Sequence, residues 1–310
     1  MTAGASVFVV GADGALGKIL VAALGATGVR LRHPGETLDA VVPELAAARV
    51  VVNVSGPRVW PGLGWADYMR EHVGTASAVV RSMPAGSHLV HFGSASVYGA
   101  RPGIVVGRDT PEQPESFPNP SYAWAKLAGE HAARALCRER GVRLSVLRPA
   151  MVYGPGVSSA MNTLFGLAGK GVVLDLVPRE VRQSCLHVSL LVAVLRALTA
   201  DGATPLDAPL PVADPFVFTN GELTAAVAAH HARSRRLTVP IPLAAAEAVL
   251  RRWPLFPDRD VPGALAALAF LGLDNVFDAA PILAATGLHA VDFARARTLD
   301  PYLAAPPGAA

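Results

Sequence analysis

Tyr122 and Lys126 stand four residues apart in Tyr122-Ala123-Trp124-Ala125-Lys126. That spacing is about one helical turn, so a helix over residues 121–140 projects the phenol and the ammonium from one face. An ammonium ~4 Å from a phenol, at an effective dielectric of ~20, favours the phenolate by up to ~4 kcal/mol. A tyrosine that ordinarily titrates near pH ~10 then comes within reach of neutrality, less what desolvation takes back. Such a phenol gives a proton to a carbonyl oxygen or takes one from a hydroxyl, which is the proton half of a carbonyl reduction or an alcohol oxidation. The other half is a hydride, and it needs a carrier.

A cradle for that carrier lies upstream. The apolar run Val7-Phe8-Val9-Val10 leads directly into Gly11-Ala12-Asp13-Gly14-Ala15-Leu16-Gly17 and a helix-forming stretch. Glycines permit a tight turn and close backbone approach, and the free N–H groups that open the helix attract a pyrophosphate. Alone, these glycines would suit any strand-to-helix turn. With a strand before them, a helix after them and the Tyr122/Lys126 pair downstream, they predict a dinucleotide site formed by Gly11, Asp13, Gly14, Ala15, Leu16 and Gly17. The second strand ends in Arg30-Leu31-Arg32-His33, where NAD-specific chains usually carry an acid for the adenosine ribose. Arg32 and His33 are the candidate partners of a 2′-phosphate, so NADP(H) is expected ahead of NAD(H). The alternative is that Arg30 and Arg32 are exposed strand residues.

The elements that must position these groups follow from alternation. β-rich runs at 7–10, 29–32, 50–54, 88–92 and 143–147 alternate with helical stretches at 16–24, 38–47, 65–82 and 121–140. This pattern predicts an α/β fold, a Rossmann-type doubly wound parallel sheet whose ligands bind beyond the carboxyl ends of the strands. The interval between Leu31 and Val50 is short for a full strand and helix. After Gly156 the alternation fades into alanine-rich helical stretches at 160–168, 189–198, 223–232, 243–253 and 263–271. The expected organisation is a dinucleotide-binding domain at 1–157, with a return segment near 184–215, and a smaller, mostly helical substrate domain at 158–310.

Composition sets bounds. The 310 residues are 52% hydrophobic and 16% charged, enough for a sizeable core and too apolar for disorder. The net charge of +3 comes from scattered arginines, densest at Arg233, Arg235 and Arg236, without a long basic run. A nucleic-acid partner finds no support there, whereas an anionic small-molecule substrate does. The two cysteines, Cys137 and Cys185, form no disulfide framework or zinc spacing, so no metal is expected and a reducing cytoplasm is the natural compartment. No stretch has the length of a membrane span.

Two further stretches complete a pattern: His88-Leu89-Val90-His91-Phe92-Gly93-Ser94-Ala95-Ser96-Val97-Tyr98-Gly99 and Leu147-Arg148-Pro149-Ala150-Met151-Val152-Tyr153-Gly154-Pro155-Gly156. With the glycine turn and Tyr122/Lys126, in this order, the chain resembles the extended short-chain dehydrogenase/reductases, the NAD-dependent epimerase/dehydratase family, from Val7 to Leu195. The resemblance implies that Ser94 shares the substrate carbonyl with Tyr122 and that Lys126 binds the nicotinamide ribose. It places Val54, Ser55 and Gly56 beside the adenosine half of the cofactor, and Pro149, Ala150 and Val152 along the nicotinamide pocket. Ser96 and Arg182 are the substrate-side candidates, Arg182 for a phosphate. A homodimer built through the helices around 75–80 and 132–136 is also implied.

The departures are equally specific. His72 of His72-Val73-Gly74-Thr75 stands where the family carries asparagine, and the acids that follow the histidine in the family's HVDD are Ser189 and Leu190 after His187-Val188. Enzymes similar to nucleotide-sugar dehydratases carry Asp-Glu directly after the strand-end serine or threonine. Ala95 and Ser96 stand there, and neither shuttles a proton at neutral pH. The expectation is a ketoreductase acting on a nucleotide-linked sugar or similar substrate. An epimerase with tightly bound NAD is the alternative, and a non-catalytic dinucleotide sensor is a third reading.

Overall fold

The computed structural model describes residues 6–31, 41–57, 63–230, 237–245, 248 and 271–293. Its first half contains β1 (Val7–Val10), α1 (Ala15–Leu24), β2 (Thr27–Val29), β3 (Val50–Asn53), α2 (Trp65–Met69), α3 (Thr75–Ser82), β4 (His88–Phe92), β5 (Val105–Val106), α4 (Pro120–Arg140), β6 (Arg143–Pro149) and β7 (Met151–Tyr153). The second half adds α5 (Ala160–Gly169), β8 (Val172–Val177), β9 (Arg182–Gln183), β10 (Cys185–His187), α6 (Val188–Thr199), β11 (Leu210–Val212), β12 (Phe218–Thr219), α7 (Asn220–His230), β13 (Leu237–Pro242), β14 (Val276–Phe277) and α8 (Ala280–Thr286).

β-branched runs build the central sheet, a parallel array of order β11-β6-β4-β3-β1-β2. Parallel strands buried on both faces send alternate side chains to opposite layers. Val50 and Val52 join the layer of Leu20 and Leu191 from α1 and α6, while Val51 joins that of Ala76, Val79 and Ala133 from α3 and α4. Each fully buried valine or leucine stabilises the fold by about 1.5–3 kcal/mol relative to exposure. The fold is thus a Rossmann-type doubly wound sheet, and the carboxyl ends of β1, β3, β4 and β6 share one edge.

Three local expectations change. The second strand is Thr27–Val29 rather than 29–32, because the Val29 carbonyl accepts the Gly11 N–H at 3.1 Å and the Ala12 N–H at 3.4 Å, which ends the ladder at the glycine turn. The described part of the expected 38–47 helix is a short 3-10 turn, Pro43–Ala47, which begins on a proline and ends where Ala48 turns extended. No strand among the described residues lies outside β2, in keeping with the short interval before Val50. The third difference is in the 65–82 helix, where Arg70–Gly74 forms a π turn between α2 and α3.

Beyond Gly156, α5 and α7 match the expected helices to within a few residues. They pack with a parallel strand pair that was not expected, β8 with β13, around Phe165, Leu176 and Leu223. β11 returns to the central sheet and pairs with β6, Leu210 opposite Leu147. The expected 263–271 helix up to its last residue, most of the 243–253 helix beyond its first residues, and the arginine group at 233–236 lie outside the described residues. Cys137 and Cys185 are buried and free.

Candidate functional site

Strand-to-helix turns at the shared sheet edge carry most of the predicted residues. Gly11 ends β1 with φ +93, a region glycine enters without strain, and a Cβ there would come within 2.9 Å of the Ser55 backbone. A Cβ on Gly17 would overlap the Gly11 carbonyl, so that glycine serves the packing of α1 on its own turn. Gly14 differs: a Cβ would meet only the Gly11 oxygen, at an ordinary 3.5 Å. Nothing among the described residues demands a glycine there. It is the N-cap of α1 and provides no side-chain cap, and the first turn, Ala15 and Leu16 included, carries no acid. The missing side chain therefore leaves a bare, electropositive helix end open to an anion.

Asp13 pairs with Arg30 at 2.8 Å, both side chains exposed, so a guanidinium lies across the glycine turn from the end of β2. Arg32 and His33 lie outside the described residues. On the neighbouring strand, Val54 continues the ladder to the Val10 carbonyl at 3.0 Å. Ser55 bonds Asn53 through its amide at 3.2 Å and through its hydroxyl. Gly56 has φ +106, and its missing side chain makes room for the His72 ring, whose Nδ1 a Cβ would approach to 2.6 Å.

β4 delivers the reactive end of the site. Ser94 caps the short 3-10 turn Ala95–Tyr98, and its Oγ accepts both the Ser96 amide at 3.2 Å and the Ser96 hydroxyl at 2.8 Å. With those two bonds accepted, the Ser94 hydroxyl keeps its own proton to donate. That 3-10 turn packs against α4. Asn119 caps α4 by accepting the Tyr122 amide at 3.0 Å, Pro120 pre-sets the first turn, and Gly141 ends the helix in the left-handed conformation. Tyr122 and Lys126 therefore sit on successive turns of a well-defined helix. The Lys126 ammonium donates at 2.9 Å to the Phe92 carbonyl, two residues before Ser94, which brings the lysine to the end of β4. Burial pulls Lys126 down to about 8, against the opposing pull of the Glu130 carboxylate.

Glu130, one turn beyond Lys126, was not singled out in the sequence. Its spacing of 122, 126, 130 was the available signal. It is 1% exposed and is gripped by Arg148 of β6, with Nη2 to Oε2 at 2.7 Å and Nε to both oxygens. Arg148 also holds Glu112 at 2.8 Å and lies 5.0 Å over the Tyr98 ring. Burial pushes Glu130 up, the guanidinium opposes it, and Arg148 itself is held firmly protonated. A Cβ on Gly93 would overlap Glu130 Oε1, so the glycine before Ser94 admits this carboxylate behind the site. His91, on β4, approaches Asn53 Nδ2 at 3.4 Å and is held neutral, down to about 3, by burial and by Lys126.

Pro149 closes β6, the Ala150 amide bonds the Val212 carbonyl at 2.9 Å, and Val152 lies in β7 opposite Leu186. Arg182, expected at a substrate phosphate, is chelated by Asp274: its backbone N–H donates at 2.8 Å and its Nε at 3.1 Å. A phosphate there has to compete with that carboxylate. His187 packs edge-on to Tyr153 at 5.0 Å, with Nδ1 2.6 Å from the Ser189 hydroxyl.

Beside it, Asp214 is 1% exposed and accepts the Tyr153 hydroxyl at 3.0 Å and the His187 amide at 2.9 Å. Burial outweighs these bonds and raises Asp214 to about 7. The folded state thus keeps a proton that the unfolded chain has released. The stability this represents is full below the unfolded pKa of ~3.8 and is lost as pH rises to about 7. Asp214→Asn is expected to melt higher than the parent at pH 8, by about 2 kcal/mol, and close to it at pH 5. Thermal melts at the two pH values check this, and equal differences at both would contradict it.

Comparison with known proteins bears on the fold and the family. The curated UDP-glucose 4-epimerase of Vibrio cholerae is 28% identical over 102 residues, and the match spans 33% of this chain and 30% of that protein. UDP-glucuronic acid 4-epimerase from Bacillus cereus, solved with UDP-glucuronic acid and NAD, superposes with a TM-score of 0.70 at 14% identity, over 96% of this chain and 98% of the other. The human epimerase family protein SDR39U1 (isoform 2), solved with NADPH, gives 0.69 at 18% identity, over 96% and 99%. At these identities the two structures establish the fold. No helix among the described residues is long and apolar enough to cross a membrane. Residues 7–174 match the family model itself, which is more than half of the chain: the protein belongs to the NAD dependent epimerase/dehydratase family.

Proposed function

We propose that the protein is an NAD(P)-dependent ketoreductase acting on a keto carbon of a nucleotide-linked sugar or similar anionic substrate. The observation that carries the reading lies at the end of β4: Lys126, one helical turn after Tyr122, is buried and donates to the carbonyl of Phe92, two residues before Ser94, whose hydroxyl keeps its own proton to donate. The residues fit a nicotinamide dinucleotide, because the N-terminus of α1, with Gly14 as its N-cap, no side-chain cap and no acid in its first turn, is left open to a pyrophosphate. When bound, that group supplies the hydride. Tyr122 gives its proton to the substrate oxygen, Ser94 donates to the same oxygen, and Lys126 keeps positive charge beside the phenol. The Glu130 and Glu112 carboxylates are both occupied by Arg148, which leaves neither as the base an elimination of water would need. Residues 158–310 carry the substrate side in this reading.

NADP(H) is favoured by Arg30, whose guanidinium lies over the glycine turn, paired there with the exposed Asp13. Arg30→Ala is expected to weaken NADPH binding about tenfold and leave NADH binding nearly unchanged. Fluorescence titrations with both cofactors check it, and equal losses for the two would remove the argument.

Epimerisation is the second reading, supported by the epimerase relatives, one of which is solved with NAD. The two separate in one experiment. A ketoreductase is isolated free of cofactor and consumes added NADPH in step with alcohol formed from a nucleotide-linked ketone. An epimerase retains NAD through purification and interconverts sugar epimers without net cofactor consumption. Failure to bind either dinucleotide would refute both.

A further inference from the structure

The ring packing around Tyr122 points to a residue that the proposed chemistry leaves unused. His72 stacks parallel to Tyr68, with centroids 6.2 Å and planes 2° apart, and meets the Tyr122 ring edge-on at 5.6 Å and 77°. Tyr68 meets Tyr122 edge-on as well, at 5.7 Å, and Phe117 covers it at 6.5 Å. The catalytic candidate is thereby held in an aromatic box of edge-on and tilted ring contacts, the arrangements aromatic pairs favour.

His72 also reaches the other way. Its ring bonds the Pro57 backbone and fills the space left by Gly56, in the loop that follows β3 on the dinucleotide side. On α4, Gly129 lets the helix approach the His72 backbone, with a Cβ only 3.2 Å from the His72 carbonyl. The ring is 5% exposed, and burial, with Lys126 and His91 nearby, holds it neutral, down to about 2. Nε2 has no hydrogen-bond partner among the described residues, so the ring proton belongs on Nδ1, facing Pro57.

We infer that His72 is a positioning residue that ties the Val54–Pro57 loop to the Tyr122 ring, so that seating a dinucleotide on that loop and orienting the phenol are one event. The inference rests on the ketoreductase reading for the identity of the phenol's task, but its cofactor half is measurable without turnover. Two variants separate the ring from its hydrogen bond. His72→Phe keeps a ring between Tyr68 and Tyr122 and gives up the bond to Pro57. His72→Ala gives up both.

The experiment pairs an NADPH fluorescence titration with single-turnover hydride transfer to a nucleotide-linked ketone at saturating NADPH, on variants whose folded fraction is fixed by circular dichroism. His72→Phe is expected to bind NADPH about tenfold more weakly, the worth of one buried hydrogen bond, with its single-turnover rate within a few-fold of the parent. His72→Ala is expected to lose binding similarly and to slow hydride transfer by about 10²-fold, as a displaced phenol does. NADPH affinity unchanged in both variants overturns the loop tie, and parental hydride transfer in the folded fraction of His72→Ala overturns the ring's role. A parent that binds NADPH but reduces no ketone removes the ketoreductase reading and leaves the binding arm to decide this one. A parent that binds neither NADPH nor NADH overturns both.

Discussion

Tyr122→Phe is expected to lower turnover by about 10²–10⁴-fold while NADPH still binds, because the substitution deletes only the transferable proton. The ring contacts to Tyr68, His72 and Phe117 survive, and Asn119 still caps the helix through the backbone of residue 122. Loss should fall on kcat rather than on the cofactor constant, since the missing interaction matures in the transition state. Single-turnover rates at saturating NADPH measure it directly. Parental turnover would remove Tyr122 from the chemistry, and with it the reading of Lys126 as its electrostatic partner.

Arg148→Met should be the most destabilising of the substitutions considered, by about 3–5 kcal/mol, because it strands the Glu130 carboxylate in a site 1% exposed. Protonation of Glu130, already favoured by burial, then limits the damage, so the loss should be smaller at pH 5 than at pH 8. Arg148→Met combined with Glu130→Gln should recover part of the stability, since no buried carboxylate is then left without its guanidinium and the part-exposed Glu112 is met by water. Urea unfolding of the three proteins decides it. A single variant within 1 kcal/mol of the parent would show the pair to be dispensable.

The glycine turn, Ser94, Tyr122 and Lys126 were legible in the sequence for a physical reason. In a parallel sheet every strand end reaches the same edge, so short motifs placed after strands must meet. Glu130 was half legible: its helical spacing from Lys126 was visible, but its guanidinium partner lies 18 residues on, across a strand, and only sheet packing brings it back. The ion pair of Arg182 was not legible for the same reason, because Asp274 is 92 residues away. The β8–β13 pair escaped because Leu237–Pro242 contains two prolines, which argue against a strand in any sequence reading. His72 was visible as a departure, but its ring contacts depend on a π turn that no periodicity announced.

That turn bears on how the chain tolerates change in length. Each residue added to or taken from a helix rotates everything beyond it by about 100°. Arg70–Gly74 accommodates one extra residue, so Trp65–Met69 and Thr75–Ser82 run out of phase with each other. The first segment sends Tyr68 to the Tyr122 ring, and the second sends Ala76, Val79 and Val80 to the core beneath the sheet. A deletion that straightened the helix could keep one of these registers and would forfeit the other. What reads as an ordinary helix is therefore a splice between two phases, and Gly74, next to the seam, marks where frame matters more than residue identity.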